Sequence, residues 1–285
     1  MPHSQAARNV PTPADSLREY GRGLAGGLLF SLPLLYTMEV WWEGFIAHPD
    51  RVLGYLACVF LLLLGYNRYA GIRRDASWVE VVIDSVEEFG LGVLTAAGVL
   101  FLLGRIGPGQ SFDEVVGKIL IEAGIVAIGF SVGTAQLGSD DGEDEGFTGD
   151  DGKPASFWNE LTIATCGAVL FAANIGPTEE IVVIAVETAA VRLLGLAVVS
   201  ILVAMLILYY SDFVQAKPAQ PHSWVQIAAG TVVTYGIALI VSAGILWFFG
   251  RFDGAAPGIR IRQMIVLGFP SVLGASAGRL LIQQR

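Results

Sequence analysis

Charge is scarce in this chain: 15% of its residues are Asp, Glu, Lys or Arg, against about 25% in a soluble domain. That shortage argues against a soluble globular fold. Cysteine is scarcer still. Cys58 and Cys166 both fall inside apolar runs, so they read as small buried residues and not as a disulfide or a thiolate metal pair. The three histidines, His3, His48 and His222, lie outside those runs, which leaves no basis for a buried histidine relay or haem ligation. No phosphate loop, zinc-protease helix, Cys-x-x-Cys pair or serine elbow is present. No nucleophile–base set or metal-ligand cluster appears either, so neither enzymatic activity nor a cofactor is expected. A net charge of -9 with no basic patch gives no sign of a nucleic-acid partner. Met1 to Ser16 lacks the charged-then-apolar pattern of a signal peptide and reads as a cytoplasmic tail.

What the chain has in quantity is apolar surface. Hydrophobic residues make up 54%, and the mean hydropathy is +0.61. Several runs reach the roughly 20 residues needed to cross a bilayer. Eight spans are expected, near residues 24–44, 52–69, 81–104, 115–137, 161–186, 193–210, 224–249 and 261–282. The last is crowded by Arg262, Pro270 and Arg279. Trp41 and Trp42 close the first span as interface anchors would. Between the fourth and fifth spans lies Ser139–Lys153, with seven carboxylates and four glycines. It cannot bury apolar area. It lacks the ligand spacing of an EF-hand, so it reads as a solvated acidic linker.

The halves echo each other. Leu29, Phe30, Thr37 and Glu39 match Leu170, Phe171, Thr178 and Glu180 at an offset of 141 residues. Gly90, Gly98, Gly104 and Arg105 recur as Gly236, Gly244, Gly250 and Arg251 at an offset of 146. The sequence therefore predicts an all-α polytopic transmembrane bundle built from two tandem four-helix repeats. The tail covers 1–20, the first repeat 21–138, the acidic loop 139–158 and the second repeat 159–285. Four spans per unit imply parallel repeats, and a re-entrant segment in each would make them inverted. The glycines at 90, 92, 98, 104, 236, 244 and 250 are expected at close helix contacts. With the N-terminus inside, ten Lys and Arg fall on the inner side and seven on the outer. This places both termini and the acidic loop in the cytoplasm.

Ionisable groups in hydrocarbon are costly and mark paths or sites. Glu39, Glu122, Glu179 and Glu180 fall within spans one, four and five, at similar depth toward the outer side. Such a cluster would attract a hard cation such as calcium or hold protons. Glu180 is favoured over its neighbour because Glu39 matches it. Pro33 and Pro177 would open their helices and free carbonyls for the same purpose, and Asn174, at the place of Pro33, would add an oxygen. A second group, Asp84, Glu87 and Glu88, lies toward the cytoplasm. Asp84 and Glu88 are four apart and share a helix face, so they would form an inner vestibule, with Tyr210 and Asp212 beside them. The expected function is a cation channel or transporter, calcium or another hard cation being a candidate and proton coupling a further one. The alternative is a membrane scaffold or sensor that uses its acidic loop. The expected partners are the lipid bilayer and a cation, a proton or both, with a homo-oligomer compatible.

Ser31–Trp42, Asn174–Ile181 and the span layout together resemble a family of bacterial polytopic integral membrane proteins with no assigned activity. The likeness covers most of the chain from Arg18 on. It implies a multi-pass protein of the bacterial cytoplasmic membrane and no catalytic residues. Gly176-Pro-Thr-Glu-Glu180 is also faintly similar to the Pro-Glu helices of cation/calcium exchangers.

Overall fold

Helix starts and stops are written locally in this chain. Ser77 and Glu80 form a capping box, each side chain bonded to the other's backbone N–H (3.4 and 2.8 Å), which satisfies donors no helix can pair internally. Pro49 follows His48 at the first helical position, where its missing N–H costs nothing. Two later helices end alike. Gly104 and Gly250 adopt φ of 67° and 66°, the left-handed region open to glycine. Arg105 N then donates to Leu100 O, and Arg251 N to Leu246 O, both at 2.8 Å. These are Schellman stops. The repeated Gly-Arg pairs of the sequence are therefore helix terminators.

The computed structural model describes residues 13–71, 76–136, 157–215 and 224–283. The acidic loop and the 216–223 linker lie outside the described residues. Ten helices follow in order: α1 (Pro13–Leu35), α2 (Met38–Ile46), α3 (Pro49–Tyr69), α4 (Trp78–Leu102), α5 (Phe112–Gln136), α6 (Phe157–Ala173), α7 (Glu180–Glu187), α8 (Ala190–Gln215), α9 (Trp224–Phe248) and α10 (Pro257–Gln283). Among the described residues there is no strand. Five helices, α3, α4, α5, α8 and α9, are long and apolar enough to cross a membrane, and the bent pair α1–α2 would make a sixth. α6 is apolar but has only 17 residues. Outward faces carry Leu61, Leu94, Leu194 and Ile240, each more than three-fifths exposed, as lipid-facing residues would be.

α5 is the centre of the first half. It packs on α1, α2, α3 and α4, and every residue from Ile121 to Ala135 is buried. α10 plays the matching part among α6, α7, α8 and α9. Close approach depends on glycine. A Cβ on Gly133 would stand 2.6 Å from the Gly26 Cα, and one on Gly274 would stand 2.2 Å from the Gly167 carbonyl oxygen. The glycines expected at contacts are mostly elsewhere. Gly90, Gly98, Gly104, Gly236 and Gly244 have nothing within 4 Å of an added Cβ, whereas Gly92 does lie against Ala123 O. Repetition along the sequence marked them, but the helices meet along other faces.

Two pairs of consecutive helices, α1–α2 and α6–α7, are separated by breaks. α1 and α2 meet at 85°. Pro33 cannot donate into α1, and the opened groups find protein partners. Leu34 N donates to Asn174 Oδ1 (3.1 Å), and Asn174 Nδ2 donates to Phe30 O (2.8 Å). One amide just after α6 thus replaces a backbone rung of α1. Thr37 Oγ1 donates to Pro33 O (2.7 Å), and Trp41 Nε1 donates to Leu35 O (3.1 Å). Trp41 is buried, with Arg105 4.9 Å from its ring centre. It braces the corner and is no interface anchor, whereas Trp42 is exposed. In the second break, between α6 and α7, Arg251 Nη2 donates to Pro177 O. Arg262 reaches Ala185 O and Thr188 O at the far end of α7 (both 3.4 Å), where a cation complements the helix dipole.

Candidate functional site

Four residues per helical turn bring Asp84 and Glu88 to one face of α4, and Glu87 stands beside them. All three line a cavity of about 130 Å³ together with Glu19 of α1, Asn67 of α3 and Ser131 of α5. The structure thus brings the three acids to one cavity. Its deepest acid is Glu88, half-buried. Glu88 Oε2 accepts from Asn67 Nδ2 at 2.7 Å and from Ser131 Oγ. Asn67 Nδ2 also donates to Ser85 Oγ (3.1 Å), which donates in turn to Val81 O (2.7 Å). Donors from two helices, α3 and α5, thus converge on one carboxyl of α4. Such a network is stable only while every member is bonded. At the rim, the Tyr20 hydroxyl donates to Glu87 Oε1. Tyr210 and Asp212, expected beside this group, have side chains outside the described residues.

The outer group behaves differently. Glu122 is fully buried (0% exposed), and among the described residues neither carboxyl oxygen has a hydrogen-bond partner. Glu39 lies half-buried in the first turn of α2, while Glu179 and Glu180 are exposed at the start of α7. These side chains do not gather into a metal-holding group: among the described residues no three His, Cys, Asp or Glu side chains do. Similar depth along separate helices did not bring them together; α2, which carries Glu39, turns 85° from α1. Of the carbonyls near the breaks, Phe30 O accepts from Asn174, Pro33 O from Thr37, Leu35 O from Trp41 and Pro177 O from Arg251.

One ion pair joins sequence-distant parts. Arg51 Nη2 of α3 lies 2.8 Å from Asp253 Oδ1 in the loop between α9 and α10. The hydrogen bond from Arg51 holds the Asp253 carboxyl below the usual range. Arg51 also lies 5.7 Å from the Trp247 ring centre.

Sequence reasoning missed Asn67 and Ser131. Asn67 stands in Tyr66-Asn67-Arg68-Tyr69 at the end of the 52–69 span, yet it is buried. Ser131 is one of two hydroxyl residues, with Thr134, in an apolar helix. The usable signal was an amide at the end of a span opposite an acid-bearing span start.

Residues 19–282 match the model of a family described as "Putative integral membrane protein (DUF2391)". No curated protein and no solved structure matches the chain. The apolar helices, their lipid-like outward faces and a match over nearly the whole length agree, and the chain belongs to that integral membrane protein family.

Proposed function

We propose that this protein moves a cation, a proton or both across the membrane, along a path of interior carboxyls entered through the α4 vestibule. The observation that carries this reading is Glu88, an acid within an apolar span, held by donors from α3 and α5 at the end of an acid-lined cavity. Intramembrane acids of this kind line substrate and proton pathways. Glu122 extends the series inward on α5, and Glu180 and Glu39 stand near the two breaks. No enzymatic step is needed.

Around this path we read two tandem repeats of four spans each, α1–α5 and α6–α10, with the broken pairs α1–α2 and α6–α7 each counted as one span. Three features support it. The Gly26–Gly133 and Gly167–Gly274 contacts lie at the same offset of 141 residues. α4 and α9 end in the same glycine stop. Glu39 and Glu180 each occupy the first turn after a break. Both termini lie on the vestibule side in this reading, which we take as the cytoplasmic face of a bacterial inner membrane.

The test is flux in proteoliposomes across a panel of protons, sodium, potassium, magnesium and calcium. Wild type should move at least one of them, and Glu88→Gln should abolish that movement. Equal flux in the two proteins would remove the vestibule from the path.

A further inference from the structure

Burial, pairing and neighbourhood together decide what Glu122 can hold. It lies where α5 becomes wholly buried, and both its oxygens are enclosed without a donor among the described residues. An ionised carboxylate left so in a low-dielectric interior is among the costliest arrangements in a protein. A counter-charge is one turn away but turned aside. Lys118, itself buried, places Nζ 2.5 Å from Glu114 Oε1 and 3.2 Å from Arg105 O.

Among the described residues, no charged side chain of the other helices packed on α5, α6 with its Glu160 included, bonds Glu122. From α3, the titratable neighbour is Tyr55. Its hydroxyl donates to Ile121 O at 2.6 Å and lies within the electrostatic reach of Glu122. Cys58 of α3 is exposed, and Arg51 is bound to Asp253. Arg18, Glu19, Tyr20 and Arg22 of α1 fall in its first turns, the end that lines the vestibule. α2 carries Glu39 and Glu43, the latter within reach of the charges of Arg51 and Arg251. α4 carries Glu80, Asp84, Glu87 and Glu88, and nothing titratable after Glu88.

A hard metal cation such as calcium takes about six to eight oxygen ligands. Glu122 supplies two, and no two further His, Cys, Asp or Glu side chains join it among the described residues. A proton needs one oxygen and no cage. We propose that Glu122 is an intramembrane proton-binding site. The carboxylate takes a proton from hydronium onto one oxygen: an O–H bond of hydronium breaks as the carboxyl O–H forms, leaving water, and release reverses the step. Ser131, which bonds Glu88, stands nine residues further along α5, about 13 Å away at the helical rise. Protons entering at the vestibule therefore have a second station deeper in the same helix pair.

The site's role in transport rests on the reading above, but its test does not. The full-length protein in lipid vesicles would be followed by infrared difference spectroscopy as pH is stepped, with proton flux recorded on the same vesicles. The expected result is a carbonyl-stretch component of a neutral, buried carboxylic acid. It should persist in Glu88→Gln, shift in Glu122→Asp and vanish in Glu122→Gln. A spectrum unchanged by both Glu122 substitutions would overturn the site even if flux continued. A Glu122 component that responds to added sodium or calcium would overturn it in favour of a metal-cation site. A pH-responsive Glu122 component without flux of any tested ion would uphold the site and sink the transport reading instead.

Discussion

Asn174 illustrates how one side chain can hold a broken membrane helix. Its amide both accepts from Leu34 N and donates to Phe30 O, restoring the pairing that the turn before the break gives up. Lipid offers no substitute donor or acceptor. Truncation to alanine would strand a buried N–H and a carbonyl, each costing about 1–3 kcal/mol when unsatisfied. Relaxation and stray partners reduce that in membranes, where polar side-chain contacts average well under 2 kcal/mol. Asn174→Ala is therefore expected to lower stability by about 2 kcal/mol, read as the shift in a denaturant-unfolding midpoint in detergent micelles. Asn174→Asp keeps the acceptor and loses the donor, and should fall between wild type and alanine. The importance of this residue was half legible. Its alignment with Pro33 drew notice, but as an ion ligand, because a sequence does not reveal which carbonyls already have donors.

At the scale of elements, contact faces decide which glycines matter. Substituting Gly133 or Gly274 by valine would push α1 from α5, or α6 from α10, by ångströms, and overpacked contacts of this kind cost about 1–3 kcal/mol or more. Gly244→Ala and Gly236→Ala, facing open space, should be neutral or slightly stabilising, since alanine is the better helix former by about 1 kcal/mol. Comparing the two sets by thermal unfolding in one detergent checks the assignment, and equal losses in both would refute it. The existence of the helices was readable from apolar runs and caps. The two corners were foreshadowed by Pro33 and Pro177. Their angle was not, because it depends on Trp41, Asn174 and Arg251, which come from elsewhere in the chain. The same limit applies to the site. Asp84 and Glu88 share a face by spacing alone, so the vestibule was legible. Glu39, Glu122 and Glu180 were placed by depth alone, and depth says nothing about direction.

For the whole molecule, contacts between sequence-distant segments tie the first half to the second. Asn174 reaches α1, Tyr55 stacks on Phe248 at 4.6 Å, and Arg51 pairs with Asp253. The ion pair is partly exposed, so its contribution is small and screened by salt. Its sign is still fixed. Asp253 binds a proton less readily when folded, so the pair stabilises the fold above the carboxylate's unfolded pKa, about 4. That stability is lost as pH falls through the lower folded value. Arg51→Gln should flatten the acid limb of a stability-against-pH curve measured at low salt, and have little effect near neutrality beyond a uniform offset.

Transport through interior acids is the claim on which the functional account stands. The most direct measurement is ion movement into sealed proteoliposomes by wild type, Glu88→Gln and Glu180→Gln, with a neutral solute of similar size as the control. The account predicts ion movement in wild type, movement no faster than in protein-free vesicles for Glu88→Gln, and no passage of the solute in any of them. Ion movement at the same rate in wild type and Glu88→Gln, or passage of the neutral solute in both, would contradict it.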